Sequence, residues 1–369
     1  MTAPRDQSHW LIDADTHVNE PPNLWSSRLP ERFRSRAPRM EHFDEGDAWV
    51  LEGVKDPINF GFNACAGMPP EKARGWIRWD EIRPGGHDPK ARLVEMDQAM
   101  TDANVLFPTP RLSHSIIANT DAEFHLALVQ AYNDWLSEYC EYAPDRLGGS
   151  MLLPNRGVDM ALAEIERVAS RRGISSALIG CFPHGDLEIS EEDDRVWKAL
   201  AEREIPVVIH VSMINEMPGG HKGKLPGDVR FYDAPTRILQ FVLTGVFDRV
   251  PDLKVVVAET DIGWLPYFKE QVDDRFRRMG GIPPMNLKAP PSAYIEEYFY
   301  FTYITDHHGV LNRHSIGVDR IMWSSDYPHT GSNWPNPWRT IAAEYAGVPR
   351  AERELMLMGN AKKLFHFGR

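Results

Sequence analysis

Short apolar runs recur along this chain, and several of them end in a side chain able to bind a metal ion. Leu11-Ile12-Asp13 leads to Asp15 and His17, Ala177-Leu178-Ile179 precedes His184, and Val207-Val208-Ile209 ends at His210. Val255-Val256-Val257-Ala258 ends in Glu259, and Ile321-Met322-Trp323 runs into Asp326. Continuous apolar runs of this length are the sequence form of parallel strands buried on both faces. Eight such runs are predicted as strands: Trp10 to Ala14, Asn104 to Phe107, Gly149 to Leu153, Ser176 to Cys181, Pro206 to Val211, Lys254 to Glu259, Tyr298 to Tyr303 and Arg320 to Ser325.

Helical periodicity fills the intervals. Ile238, Val242 and Val246 lie beside Leu239, Leu243 and Phe247 in two adjacent rows, a face suited to packing on a sheet. Ser190 before Glu191, Glu192 and Asp193 reads as an N-cap with an acidic first turn. Eight alternating units fit an α/β fold of the (β/α)8 TIM-barrel type better than an open doubly wound sheet. The chain is expected to be a single barrel domain over residues 1–369, with residues 19–87 as an insertion after the first strand. That segment leaves from the end of the barrel where chemistry is done. Its Trp49, Phe60, Phe62, Trp76 and Trp79 argue for a packed lid or wall over the site.

Composition narrows the partners. With 42% hydrophobic and 25% charged residues the chain is an ordinary globular protein, and its formal charge of −12 offers no basic footprint for nucleic acid or an anionic membrane. No run approaches the roughly 20 apolar residues of a membrane span, and no signal-peptide layout opens the chain. A cytoplasmic protein acting on a small molecule is expected. Cys65, Cys140 and Cys181 are too few and scattered for a disulfide framework or thiolate site, and read as small buried apolar residues.

The candidate chemistry lies at the strand ends. Asp15 and His17 are two apart on an extended segment and point to one side, although an Asp-x-His can equally cap a turn. His210 alone could be an ordinary buried histidine. Glu259, after four apolar residues, requires a cation, donor or proton, and an arginine would serve as well as a metal. Asp326 could cap a helix. All of these at one face of one barrel point to an ion among them.

The residues Ile12-Asp13-Ala14-Asp15-Thr16-His17, Ile209-His210, Phe247-Asp248-Arg249-Val250-Pro251-Asp252-Leu253-Lys254, Asp326-Tyr327-Pro328-His329 and Gly359-Asn360-Ala361-Lys362-Lys363-Leu364-Phe365 resemble the amidohydrolase superfamily. The branch is the amidohydrolase-related one that includes aminocarboxymuconate semialdehyde decarboxylase and resorcylate decarboxylase. The resemblance implies that Asp15 and His17 form the first-strand metal pair, where the family has His-x-His or Glu-x-His. It implies a ligand role for His210, and for Asp326 a metal contact and a proton-handling role. It favours an active-site place for His329. Glu259 departs from the pattern, standing where many relatives have histidine.

Asp15, His17, His210, Glu259 and Asp326 would suit Zn, Mn or Fe. Either one ion, with Glu259 outside its shell, or two ions sharing a bridge are open, with a lean toward two. Metal-activated water attacking an amide, ester, thioester or lactone carbonyl of a cyclic or aromatic molecule is the main expectation. Asp326 would take the proton, and His329 or His184 would protonate the leaving group. The alternative is non-oxidative decarboxylation or hydration of an aromatic or unsaturated acid by a mononuclear site. Substrate contacts are expected from Trp334, His307, His308 and Arg111, with Arg237, Trp264 and Trp338 as further candidates. The family analogy also implies a possible homodimer.

Overall fold

The computed structural model describes residues 11–211, 213, 232–280, 282–283 and 287–368. Eight strands form one parallel sheet: β1 (Ile12–His17), β5 (Ala103–Phe107), β6 (Leu147–Leu152), β7 (Ile174–Leu178), β8 (Val207–His210), β9 (Val255–Ala258), β10 (Phe299–Tyr303) and β11 (Ile321–Trp323). They neighbour one another in that order, with helices between them, as in a (β/α)8 barrel. All eight runs read from the sequence are strands. The first continues past Ala14 to His17, so the Asp15/His17 pair lies within it. Trp10, where it was expected to begin, lies outside the described residues.

Residue alternation sorts side chains into two layers. Val207 and Ile209 of β8, with Val255 and Val257 of β9, join the cluster under the helices, which also holds Phe182, Trp197, Phe241 and Phe247. Val208, Val256 and Ala258 join Ile12, Ala14, Phe107 and Met322 in the other, which fills the barrel and continues outward to Trp25, Trp49 and Tyr132. By this parity His210 points inward. The helix expected to run through Phe247 stops earlier: Ala234–Leu243 ends before Gly245, whose φ of 73° breaks the helix, and Val246–Arg249 forms a separate turn. Ser190 does cap, its Oγ accepting from Glu192 N while its own N–H donates to the Asp193 carboxylate.

The sheet closes along an irregular seam. Between β1 and β11 only Thr16 and Tyr327 form a bridge, and the rest of the join is made by His17 N donating to Tyr327 O at 2.6 Å, Asp326 N to Asp15 O at 3.0 Å and Ser325 N to Asp13 Oδ1 at 2.8 Å.

After β1 the chain builds a small antiparallel sheet of β2 (Arg39–His42), β3 (Asp47–Val50) and β4 (Ile58–Asn59). Trp49 and Phe60 are buried, and Trp49 stacks edge-on against Trp25. The three cysteines are free and buried. Among the described residues no helix is long and apolar enough to cross a membrane.

Phe241 is fully buried and touches the rings of Phe182, Trp197, Phe247 and Phe299. Phe241→Ala should cost about 3–5 kcal/mol, because the barrel and helix layers cannot both collapse onto the void. Urea unfolding of the two proteins reads this directly, and a loss under about 1 kcal/mol would show that the ring is not held as described.

Candidate metal centre and active site

A regular β1 would send Asp15 to the same side as Asp13, toward the helices. The register with β5 shifts, Asp13 pairing with Asn104 but Thr16 with Leu106, so β1 carries one extra residue. Such a bulge reverses the facing of the residues beyond it. Asp13 stays beside the helix layer, with Arg92 as a charge neighbour, while Asp15 and His17 turn into the barrel mouth. Glu259 and Asp326 are re-aimed differently. Both occupy left-handed backbone, with φ of 56° and 58°, a conformation that non-glycine residues adopt rarely and at a cost.

These departures bring six side chains together. His210 Nε2 lies 3.3 Å from Asp15 Oδ1 and 3.3 Å from Glu259 Oε2. His17 Nε2 lies 3.5 Å from Asp15 Oδ1 and 3.4 Å from Asp326 Oδ1. His329 Nδ1 lies 2.6 Å from Asp326 Oδ1, and its ring stacks on that of His17 at 3.9 Å. Two groups have ligand atoms mutually close enough to surround an ion: Asp15, His17 and His210, and His17, Glu259, Asp326 and His329. Every member is buried.

His17 tests whether a cation fits. Its Nδ1 lies 2.8 Å from Pro108 O, and a carbonyl can only accept, so the proton sits on Nδ1 and Nε2 carries a lone pair. Burial, followed by the neighbouring His329 and His210, holds its pKa well below the ordinary value, so the ring stays neutral. Nε2 has no hydrogen-bond partner, yet it faces two carboxylate oxygens. Lone pair against lone pairs in a buried site repels, and an ion among them reverses the sign. His210 shows the same demand for positive charge. Burial opposes its charged form, but Asp15 and Glu259 outweigh burial and raise its pKa to about 9. Burial alone would also raise Asp15, and the adjacent His210 and His17 more than offset it, leaving the carboxylate below its ordinary range.

Other expected site residues stand elsewhere. His184 Nδ1 pairs with Asp193 Oδ2 at 2.8 Å, and its backbone N–H donates to the same carboxylate, outside both groups. His307 and His308 are exposed on the short helix His307–Leu311. Arg111 is exposed and donates to Asn59. Arg237 is paired with Asp233, and Trp264 Nε1 donates to Thr260 O. Trp334 Nε1 donates to Glu95 O, with Arg83 over its ring, and Trp338 Nε1 donates to Met100 O.

Two contributors were not read from the sequence. Thr302 Oγ1 donates to Asp15 Oδ2 at 3.1 Å and accepts from Glu259 N at 2.7 Å, tying two candidate ligands together. Being the one non-aromatic residue in the run Tyr298 to Tyr303 was its available signal. Asn63 Nδ2 lies 3.1 Å from His329 Nε2, and the same segment meets the loop after β11 through Ala66 N to Pro328 O and Thr330 N to Phe62 O. Nothing in its local sequence marks Asn63.

Residues 12–367 match the amidohydrolase family model Amidohydro_2. A gamma-resorcylate decarboxylase from Polaromonas sp. (strain JS666) is 25% identical over 340 residues, covering 82% of this chain and 94% of its own length. An amidohydrolase from Mycobacterium avium subsp. paratuberculosis K-10 superposes with a TM-score of 0.78 at 23% identity, over 98% of this chain and 100% of that one. The dihydroxybenzoic acid decarboxylase of Polaromonas sp. JS666, solved with manganese and 2-nitroresorcinol, superposes with a TM-score of 0.66 at 21% identity, over 98% of each chain. The curated relative and the Polaromonas structure are both named decarboxylases, which overturns the expectation of a hydrolase; a buried metal constellation does not by itself distinguish water attack from carbon–carbon cleavage. From its strand-end motifs, its barrel and this match over nearly its whole length, the chain belongs to the amidohydrolase family.

Proposed function

We propose that the protein is a metal-dependent, non-oxidative decarboxylase of a hydroxylated aromatic acid. The observation that carries the metal reading is the partnerless Nε2 of neutral His17, facing Asp15 and Asp326 in a buried site. The reaction class is supported by the decarboxylase names of its relatives.

Asp15, His17, His210 and Asp326 would hold a divalent ion, with Glu259 and His329 within reach. One ion is favoured, because both candidate groups depend on His17, whose single free lone pair can serve one ion only. Manganese suits the oxygen-rich donor set and is the ion in the Polaromonas structure, with zinc and iron as the other candidates. When bound, the ion would supply fixed positive charge that orients the substrate's carboxylate and ring hydroxyl and holds that ring oxygen in its ionised, electron-donating form.

The protein's own part is proton delivery. Asp326, in its protonated form, passes a proton to the ring carbon that bears the carboxylate. The bond to the carboxylate carbon then breaks, its electron pair restores the aromatic ring, and carbon dioxide leaves. His329 fixes Asp326 through its 2.6 Å contact, Asn63 Nδ2 holds the far nitrogen of the imidazole, and Asp326 regains its proton from water once the products have left. The segment 19–87 thereby forms a wall of the site.

Below pH 9 the metal must displace the proton of His210, whereas His17 is already neutral. Manganese affinity should therefore rise with pH, by up to about tenfold per unit between pH 6.5 and 8.5, and level off above about 9. Calorimetric titration of metal-free protein reads it, with about one ion bound per chain; a flat profile would remove the proton from His210.

Purified manganese-loaded protein should release carbon dioxide from 2,6-dihydroxybenzoate or a related hydroxybenzoate, lose this on chelation and regain it with manganese. Asp326→Asn should lower kcat by about 10²–10⁴-fold while circular dichroism is unchanged. Carbon dioxide release at the wild-type rate by the variant would remove Asp326 from proton transfer.

A further inference from the structure

Phe107, at the end of β5, packs against the candidate ligands, its ring centroid 5.3 Å from that of His210 and 6.0 Å from that of His17. It also walls a narrow crevice that runs away from His210 between Ile117, Leu152, Leu178 and Gly180. No Lys, Arg, Asp or Glu lines this space. Ser113, one of its polar members, donates its hydroxyl to Pro110 O at 2.9 Å. His210 turns Nε2 to Asp15 and Glu259. His114 stands at the outer side, where it also borders a surface groove with Ser115 and Asn119.

The crevice has room for about one small group. A hydroxyl or carboxylate placed there would lose its hydration against an apolar wall, which is costly, whereas a methyl or chlorine would gain by leaving water. Gly180 keeps the space open: a Cβ at this position would come within 3.2 Å of Ile117 Cγ2.

We infer that this crevice is a specificity pocket for a small apolar ring substituent, methyl or chlorine, on the aromatic acid bound at the metal centre, and that Ile117 and Gly180 set its size. The inference takes its substrate core from the decarboxylase reading above. It narrows that class from hydroxybenzoates in general to those bearing one such substituent at the ring position that meets Phe107.

The test separates the two readings. Resorcinol and its methyl positional isomers, as ring products lacking the carboxylate, are titrated into manganese-loaded protein by calorimetry, and the matching acids are assayed for carbon dioxide release. One methyl isomer should bind roughly tenfold tighter than resorcinol. Gly180→Ala should bring that ratio to about one, and Ile117→Val should shift the preference from methyl toward ethyl, a gain that misfolding cannot imitate. Equal binding of all isomers, no binding of any, or ratios unmoved by both variants would overturn the crevice assignment. Methyl-selective binding without carbon dioxide release from any acid would uphold the crevice and overturn the decarboxylase reading instead.

Discussion

Three carboxylates, Asp15, Glu259 and Asp326, are buried at the mouth of one barrel, and the arrangement of everything around them comes from having to neutralise them there. Their close ion pairs run to histidines. Histidine can give up its proton, unlike arginine, so a site built this way can exchange protons for a metal ion. The two central histidines show both states. His17 is locked neutral by Pro108 O and by burial, offering a lone pair, whereas His210 is pushed toward the charged form by the carboxylates on either side. A site that holds one ready lone pair and one replaceable proton has the donor chemistry that a divalent ion requires.

The barrel's seam and this centre are the same piece of structure. Where β1 meets β11, side chains and loop backbone replace the ladder: Asp13 accepts from Ser325 N, and the residues exchanging backbone bonds beyond it include Asp15, His17 and Asp326. Arg92, fully buried, donates Nη1 to His17 O and Nε to Asn104 Oδ1, and lies over the Tyr327 ring. Arg92 thus braces from below the strand that carries Asp15 and His17. Loosening the seam would therefore disturb ligand geometry before it disturbed the barrel as a whole, since the other neighbouring strands are joined by backbone ladders.

What could be read from the sequence divides along a physical line. The eight strands were legible because burial on both faces leaves runs such as Val255-Val256-Val257-Ala258. The residues meeting at the site were legible in part, because a charged or imidazole side chain after such a run has few ways to be satisfied. The bulge that turns Asp15 inward and the left-handed backbone at Glu259 and Asp326 leave no periodic trace. Asn63 arrives from a segment whose fold depends on distant partners, among them Trp25 against Trp49. Gly245 did stand in the sequence, yet the apolar rows on either side of it outweighed it and the helix was read as too long.

The choice between hydrolysis and decarboxylation was illegible for a different reason. Both chemistries need fixed positive charge, an oxygen-rich ligand set and an acid/base carboxylate, and Asp326 beside His329 meets the last need in either case. They differ in where the proton goes: to a leaving heteroatom, or to the ring carbon from which carbon dioxide departs. On the proposed reading, the apolar wall of Phe107 and the crevice beside it would suit a departing neutral gas better than a charged or strongly hydrated leaving group.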